Sequence, residues 1–171
     1  IYIRGHARDY DQWRQSGLSG WGYADVLPYF QRSEGYQNGA NAYHGGDGPL
    51  VVEESPLDAE PYQAFIKAGE QAGHAVTKDF NGAQQEGMGA YQRTINDGAR
   101  WSTSYAFLRP ILDERKNLTV KSTALVSKVV FRGGHAHGVE LVARRGAEPE
   151  RVEAAKEVII CAGAVQSPQL L

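Results

Sequence analysis

Val158-Ile159-Ile160-Cys161 is the stretch that most restricts how this chain can fold. Consecutive apolar residues without polar alternation describe a strand buried on both faces, and such strands belong to parallel sheets covered by helices. The following residues fit that picture. Ala162-Gly163-Ala164 are small, Ser167 suits a helix N-cap, and Pro168 suits the first helical position. Small residues between a strand and a helix let a ligand approach the backbone, and the free N–H groups of a helix start favour a pyrophosphate. A tight strand–helix turn with no ligand accounts for the same spacing equally well. The run points to an α/β class.

The rest of the chain adds helices first and strands later. A polar helix over 6–16 is anchored by Tyr10 and Trp13 and broken by Gly17 and Gly20. A second helix runs from about Ala24 to Glu34. Tyr23, Leu27 and Phe30 recur on one face, Pro28 falls within about the first turn, and Gly35 is placed to end it. Residues 35–49 form a loop closing in His44-Gly45-Gly46-Asp47-Gly48-Pro49, followed by a short strand, Leu50-Val51-Val52. Another helix covers about Ala59 to Ala72, capped by Asp58, with Tyr62, Phe65, Ile66 and Ala72 on one face and Gly73 at its end. A polar, glycine-rich loop spans 77–90. Leu118-Thr119-Val120 reads as a strand. Ala124–Arg132 and His135–Arg144 flank Gly133-Gly134, a strong hairpin signal. Val152–Ala154 adds a short strand. The expectation becomes α+β overall.

Charge and composition exclude several functions. With 18 basic and 20 acidic side chains the net charge is −2, so no broad basic field invites nucleic acid. Apolar residues make up 42%, enough to bury a core, yet no apolar run approaches the roughly 20 residues of a membrane span. No basic segment followed by an apolar one opens the sequence, so no signal peptide is expected there. Cys161 is the lone cysteine, read as an inert buried side chain, and it allows neither an intrachain disulfide nor a multi-cysteine zinc site. The apolar ends, Ile1-Tyr2-Ile3 and Leu170-Leu171, lead us to expect an internal segment of a longer polypeptide.

Candidate chemistry is sparse. Gly87-Met88-Gly89 lacks the third glycine of a dinucleotide fingerprint. His135 and His137 share a face beside the hairpin turn, but no third metal ligand lies near them in sequence, so no metal is expected. His44 is read as ordering its glycine loop, not as a base. Ser102-Thr103-Ser104 reads as a helix cap. Trp13, Trp21, Tyr29 and Phe30 read as packing residues.

Several stretches in order resemble the glucose–methanol–choline (GMC) oxidoreductases, most closely their bacterial choline dehydrogenase branch. Tyr2-Ile3-Arg4-Gly5 through Asp9-Tyr10-Asp11-Gln12-Trp13 is similar to the second half of the first family signature. Gly163-Ala164-Val165-Gln166-Ser167-Pro168-Gln169-Leu170-Leu171 is similar to the first half of the second signature. Between them lie Trp21-x-Tyr23 through Leu27-Pro28-Tyr29-Phe30, Tyr43-His44-Gly45-Gly46-Asp47-Gly48-Pro49-Leu50, Asn81-Gly82 with Gln85-Glu86-Gly87 and Gly89, and Asn117-Leu118-Thr119-Val120.

The resemblance implies an α/β framework: part of an FAD-binding Rossmann-like domain, plus part of a substrate domain with an antiparallel sheet. Residues 1–48 would cover the FAD domain, 49–115 belong to the substrate domain, and 116–171 return to the FAD domain. It implies FAD as cofactor and a small-molecule alcohol as substrate, oxidised by hydride transfer to the flavin. Choline to betaine aldehyde is the leading case. Other aliphatic or aromatic alcohols, or a non-catalytic nucleotide-binding module, are the alternatives. The glycine-rich FAD loop is expected before Ile1, and the proton-accepting histidine with its His or Asn partner after Leu171. None of the five histidines here matches those positions. The backbone of Val126 corresponds to the adenine contact. Ala162 and Gly163 correspond to the strand end near the adenosine–phosphate part, and Ile1 to the end of the segment passing the flavin ring. The implied setting is cytoplasmic or peripheral at the inner membrane. Electron acceptor and oligomeric state stay open.

Overall fold

The structure is a computed structural model describing residues 1–142 and 148–171. It falls into two compact units, Ile1–Lys116 and Asn117–Leu171.

In the first unit, α1 (Ala7–Gln15) starts in a reciprocal cap: the Arg8 N–H donates to His6 Nδ1 and the His6 N–H to Asp9 Oδ2. The second helix, α2 (Tyr23–Ser33), begins with the Gly22 N–H donating to Asp25, and the Tyr23 N–H donates to Asp11 of α1. Tyr10 sits between the two helices, its ring 5.3 Å from Trp13, 6.2 Å from Tyr23 and 5.8 Å from Phe30. Because α2 starts at Tyr23, Pro28 lies in the second turn, not the first. The Ala24 carbonyl that loses its intrahelical donor sits on the exposed side with Pro28, where water can serve it.

Gly35 does not cap α2. The chain leaves the helix extended, and β1 (Glu34–Tyr36) pairs in parallel with β2 (Leu50–Val52). Gly35 faces Val51, and a Cβ there would stand 2.5 Å from the Gly48 carbonyl oxygen. α3 (Glu60–Gln71) is capped at Ala59 without a side-chain bond, so Asp58 does not cap it. Its Tyr62 and Phe65 are 61% and 69% exposed, and only Ile66 of that face is half-buried. The short β3 (Ile95–Asn96) and β4 (Ala99–Arg100) form an antiparallel pair. A π-helical turn over Ser104–Leu108 follows, started at Thr103 with no side-chain cap bond.

The second unit is a three-stranded antiparallel sheet, β5 (Leu125–Arg132), β6 (His135–Val142) and β7 (Glu150–Glu153), with α4 (Gly163–Leu170). Gly133 and Gly134 both take positive φ, +56° and +81°, as a two-residue hairpin turn requires. The expected extension of β6 to Arg144 lies outside the described residues.

Four expectations fail here. Leu118–Val120 and Val158–Cys161 form no ladder, and Ile159 is 75% exposed. A parallel strand exists only through its hydrogen-bonded neighbours, and no described residue pairs with either run. Cys161 is accordingly exposed, not buried. Helix α4 begins at Gly163, so Ser167 and Pro168 are interior. The Ser167 hydroxyl accepts from the Ala162 N–H at 3.1 Å, one turn before its expected place.

No helix among the described residues is long and apolar enough to cross a membrane.

Candidate functional site: a buried charge network and a nucleotide-sized groove

Among the described residues the largest fully buried side chains are His44, Glu34 and Val52. Two of these three are ionisable, which burial permits only when the charges are paired. Glu34 leaves the end of α2 on β1, and its Oε2 accepts from Arg4 Nη2 at 2.7 Å, His44 Nδ1 at 3.0 Å and the Gly45 N–H at 3.0 Å. His44 Nε2 lies 2.9 Å from Asp79 Oδ2, and the ring stacks on Tyr36 with centroids 4.1 Å apart. Asp79 Oδ1 accepts from the Asn81 N–H and from Gln92 Nε2. Arg4 Nη1 donates to the Tyr43 carbonyl at 2.6 Å.

A carboxylate only accepts, so both His44 nitrogens must donate, and the ring is an imidazolium. Arg4, Glu34, His44 and Asp79 thus alternate in sign and sum to zero. Burial pulls the His44 pKa down, but the hydrogen bonds to Glu34 and Asp79 outweigh it and hold the pKa above its usual value. Burial, reinforced by the hydrogen bond to Glu54, pushes Tyr36 up to about 12.

The pH consequence follows from the direction of the His44 shift. A group whose folded pKa exceeds its unfolded value, about 6.5 for histidine, contributes stability that is complete below that value. That stability is lost as pH rises through the folded pKa. Unfolding free energy should therefore fall above about pH 6.5, and His44→Gln should flatten this limb. Urea unfolding across pH 6 to 9 tests it; a wild-type profile rising over that range rejects a charged His44.

Of the residues expected at the cofactor, the structure brings Val126 and Ala162 to one groove of about 480 Å³ in the second unit, between the start of β5 and α4. Gln166 and Gln169 line its helix side. Gly163 follows Ala162 at φ +86°, and no atom lies within 4 Å of the place its Cβ would take. Bare backbone at a helix start beside such a groove suits a nucleotide, whose sites are typically about 300–1,000 Å³. Ile1 belongs to the first unit and is 83% exposed. It lines a separate apolar groove of about 580 Å³ with Leu57, Tyr62, Phe65 and Tyr91. His135 and His137 are exposed, and no group of three or more His, Cys, Asp or Glu side chains that could hold a metal exists among the described residues.

Sequence reasoning singled out His44 but missed Glu34, Arg4 and Asp79 as its partners. Their signal was faint: an acid, a base and a second acid lying 10 to 40 residues from His44, in segments of unlike character.

The profile of the GMC oxidoreductase family matches residues 1–171. This chain belongs to the GMC oxidoreductase family. It is 46% identical over all 171 residues to the mitochondrial choline dehydrogenase of Homo sapiens, of which it covers 28%. It is 45% identical over the same length to an oxygen-dependent choline dehydrogenase of Brucella anthropi, covering 30%. This GMC chain therefore spans less than a third of these curated relatives. Among solved structures it is similar to pyridoxine 4-oxidase from Mesorbium loti, with TM-score 0.83 and 32% identity over 99% of this chain and 33% of that one. An FAD-dependent oxidoreductase from Chaetomium thermophilum matches with TM-score 0.79 and 25% identity over 91% of this chain and 29% of that one.

Proposed function

We propose that this GMC chain forms part of an FAD-dependent dehydrogenase that oxidises a primary alcohol, with choline to betaine aldehyde as the leading reaction. The observation that carries this reading is 46% identity to a choline dehydrogenase with no part of the 171 residues left unmatched. The similarity to pyridoxine 4-oxidase, at 32%, favours an aromatic alcohol less.

FAD, when bound, supplies the hydride acceptor. The chain's own residues then hold and place it. Val126 offers its backbone to the adenine, Ala162 and Gly163 lie along the adenosine–phosphate part, and Ile1 passes the flavin ring. In this division residues 1–48 cover the FAD domain, 49–115 build part of the substrate domain, and 116–171 return to the FAD domain. The proton of the alcohol goes to a histidine outside these 171 residues. The enzyme works in the cytoplasm or peripherally at the inner membrane.

The test is anaerobic mixing of the purified full-length protein with choline and with other primary alcohols. Bound FAD that bleaches with choline is the expected result. A preparation without FAD, or one bleached only by an unrelated alcohol, overturns the reading.

Gly163→Val addresses the cofactor contact directly. Open space surrounds the position, so the penalty is not a collision within the chain. It is the positive φ, about 1–2 kcal/mol for a side chain in this region, together with loss of the bare surface beside the groove. FAD content should fall well below that of Lys128→Ala, an exposed change on β5. Equal flavin occupancy in the two variants rules out close approach at Gly163.

A further inference from the structure

We infer that Asn81 is a positioning residue that fixes the Ile1–Arg4 segment so that its Ile1/Ile3 side faces the flavin; the inference rests on the FAD-dependent reading above. Along an extended chain, backbone polar groups alternate between the two edges and side chains between the two faces. One edge here is fully engaged. The Tyr2 N–H donates to the Gln92 carbonyl at 2.6 Å, and the Tyr2 carbonyl accepts from Asn81 Nδ2 at 3.2 Å. The Arg4 N–H donates to Asn81 Oδ1 at 2.7 Å, and the Arg4 carbonyl accepts from Gln85 Nε2 at 2.8 Å.

Three of these four bonds come from side-chain amides. Only one, from Gln92, is a backbone ladder bond. Asn81 alone serves two residues of the segment, so its amide continues the ladder that Gln92 begins. It is also immobilised. It is 3% exposed, its own N–H donates to Asp79, and its Nδ2 donates to Gln92 Oε1 at 2.5 Å. Asp79 in turn holds His44, so the amide clamp is seated on the buried charge network.

The other side contrasts with this. The Tyr2 and Arg4 side chains turn inward, Arg4 Nε donating to the Tyr2 hydroxyl. Ile1 and Ile3 are 83% and 45% exposed. A segment bonded along one edge, with Tyr2 and Arg4 on its inner face, is held in rotation about its own axis, and its outer face carries Ile1 and Ile3. If Ile1 passes the flavin ring, the clamp sets how closely it does so. Displacements of about 1 Å around a reacting centre cost up to about 100-fold in rate.

The test uses the full-length, FAD-loaded enzyme, with the visible flavin spectrum, the thermal midpoint, and the anaerobic rate of flavin reduction by choline as readouts. Asn81→Ala should alter the flavin band shape and lower the limiting reduction rate by up to about 100-fold, with KM changed much less. Trp101→Phe is the stability control, since it removes the indole bond to the Pro49 carbonyl and trims the packing against Tyr105, both away from the clamp. It should leave spectrum and rate unchanged at whatever cost in midpoint. Gln85→Ala removes a single bond at a half-buried position and should move spectrum and rate the same way by a few-fold. An Asn81→Ala enzyme that loses thermal stability but keeps spectrum and limiting rate overturns the inference. If that variant does not fold, a Gln85→Ala enzyme matching wild type overturns it. Wild-type protein without FAD, or with FAD that no alcohol reduces, is a different outcome and rejects the functional reading itself.

Discussion

Glu34→Ala is expected to cost about 3–5 kcal/mol of folding stability, the range for removing one partner of a buried ion pair. The Glu34 side chain is fully buried, and Arg4 opposite it is 2% exposed at 2.7 Å. Without the carboxylate, Arg4 keeps its charge, its tie to the Tyr43 carbonyl and no counter-ion on that side. His44 loses the acceptor of its Nδ1 proton, and the Gly45 N–H loses its partner as well. Glu34→Gln keeps the shape but replaces one accepting oxygen with a donor. It should fall between, at about 1.5–3 kcal/mol, the value of hydrogen bonds to a charged group. A double-mutant cycle with Arg4→Ala should show strong coupling, since the second removal deletes the stranded charge. Chemical denaturation decides it. A loss under about 1 kcal/mol for Glu34→Ala is a surface-pair value and would show that the network is not buried in solution.

What the sequence discloses depends on how local the determining physics is. The first two helices and the Gly133-Gly134 hairpin are set by neighbours a few residues away, through caps, breakers and turn glycines. They lie within a residue or two of where the pattern puts them, and the expected end of the second hairpin strand, Arg144, lies outside the described residues. Val158–Cys161 shows the opposite case. Its apolar run specifies burial, but burial as a strand requires partners that hydrogen-bond to it, and no described residue does so. Ser167 misleads for a related reason. Its hydroxyl does bond an N–H at the helix entrance, but Gly163 turns the chain earlier and puts that entrance at Ala162.

The candidate site divides in the same way. His44 stands out because it opens a glycine loop. Glu34 is unremarkable as the last polar residue of an amphipathic helix, and nothing local shows that it is buried. Its partners Arg4 and His44 are 30 and 10 residues away, and Asp79 is 35 from His44. Only the fold brings four alternating charges into line. Val126 and Ala162 are named by family resemblance, and their convergence on one groove emerges from the packing of α4 on β5.

Among the described glycines, Gly45→Ala should be the most damaging methyl addition. The new Cβ would fall directly on the Gln31 carbonyl oxygen, with the Glu34 carbonyl oxygen 2.8 Å away. Both are backbone atoms at the C-terminal end of α2, so neither can rotate aside as a side chain can. Relief requires the whole 44–49 loop to lift from the helix end. That movement breaks the Tyr36 N–H bond to the Gly45 carbonyl at 2.8 Å and the Gly45 N–H bond to Glu34. It also carries His44 away from its carboxylates. Overpacking costs typically 1–3 kcal/mol, and a backbone collision of this kind belongs at or beyond the upper end, about 3 kcal/mol. A second signature separates this from ordinary strain. If the loop lifts, His44 is no longer held as an imidazolium, so the variant should lose the decline in stability above about pH 6.5 as well as the stability itself. A Gly45→Ala protein within about 1 kcal/mol of wild type, with the alkaline decline intact, would mean that the loop does not press on the end of α2.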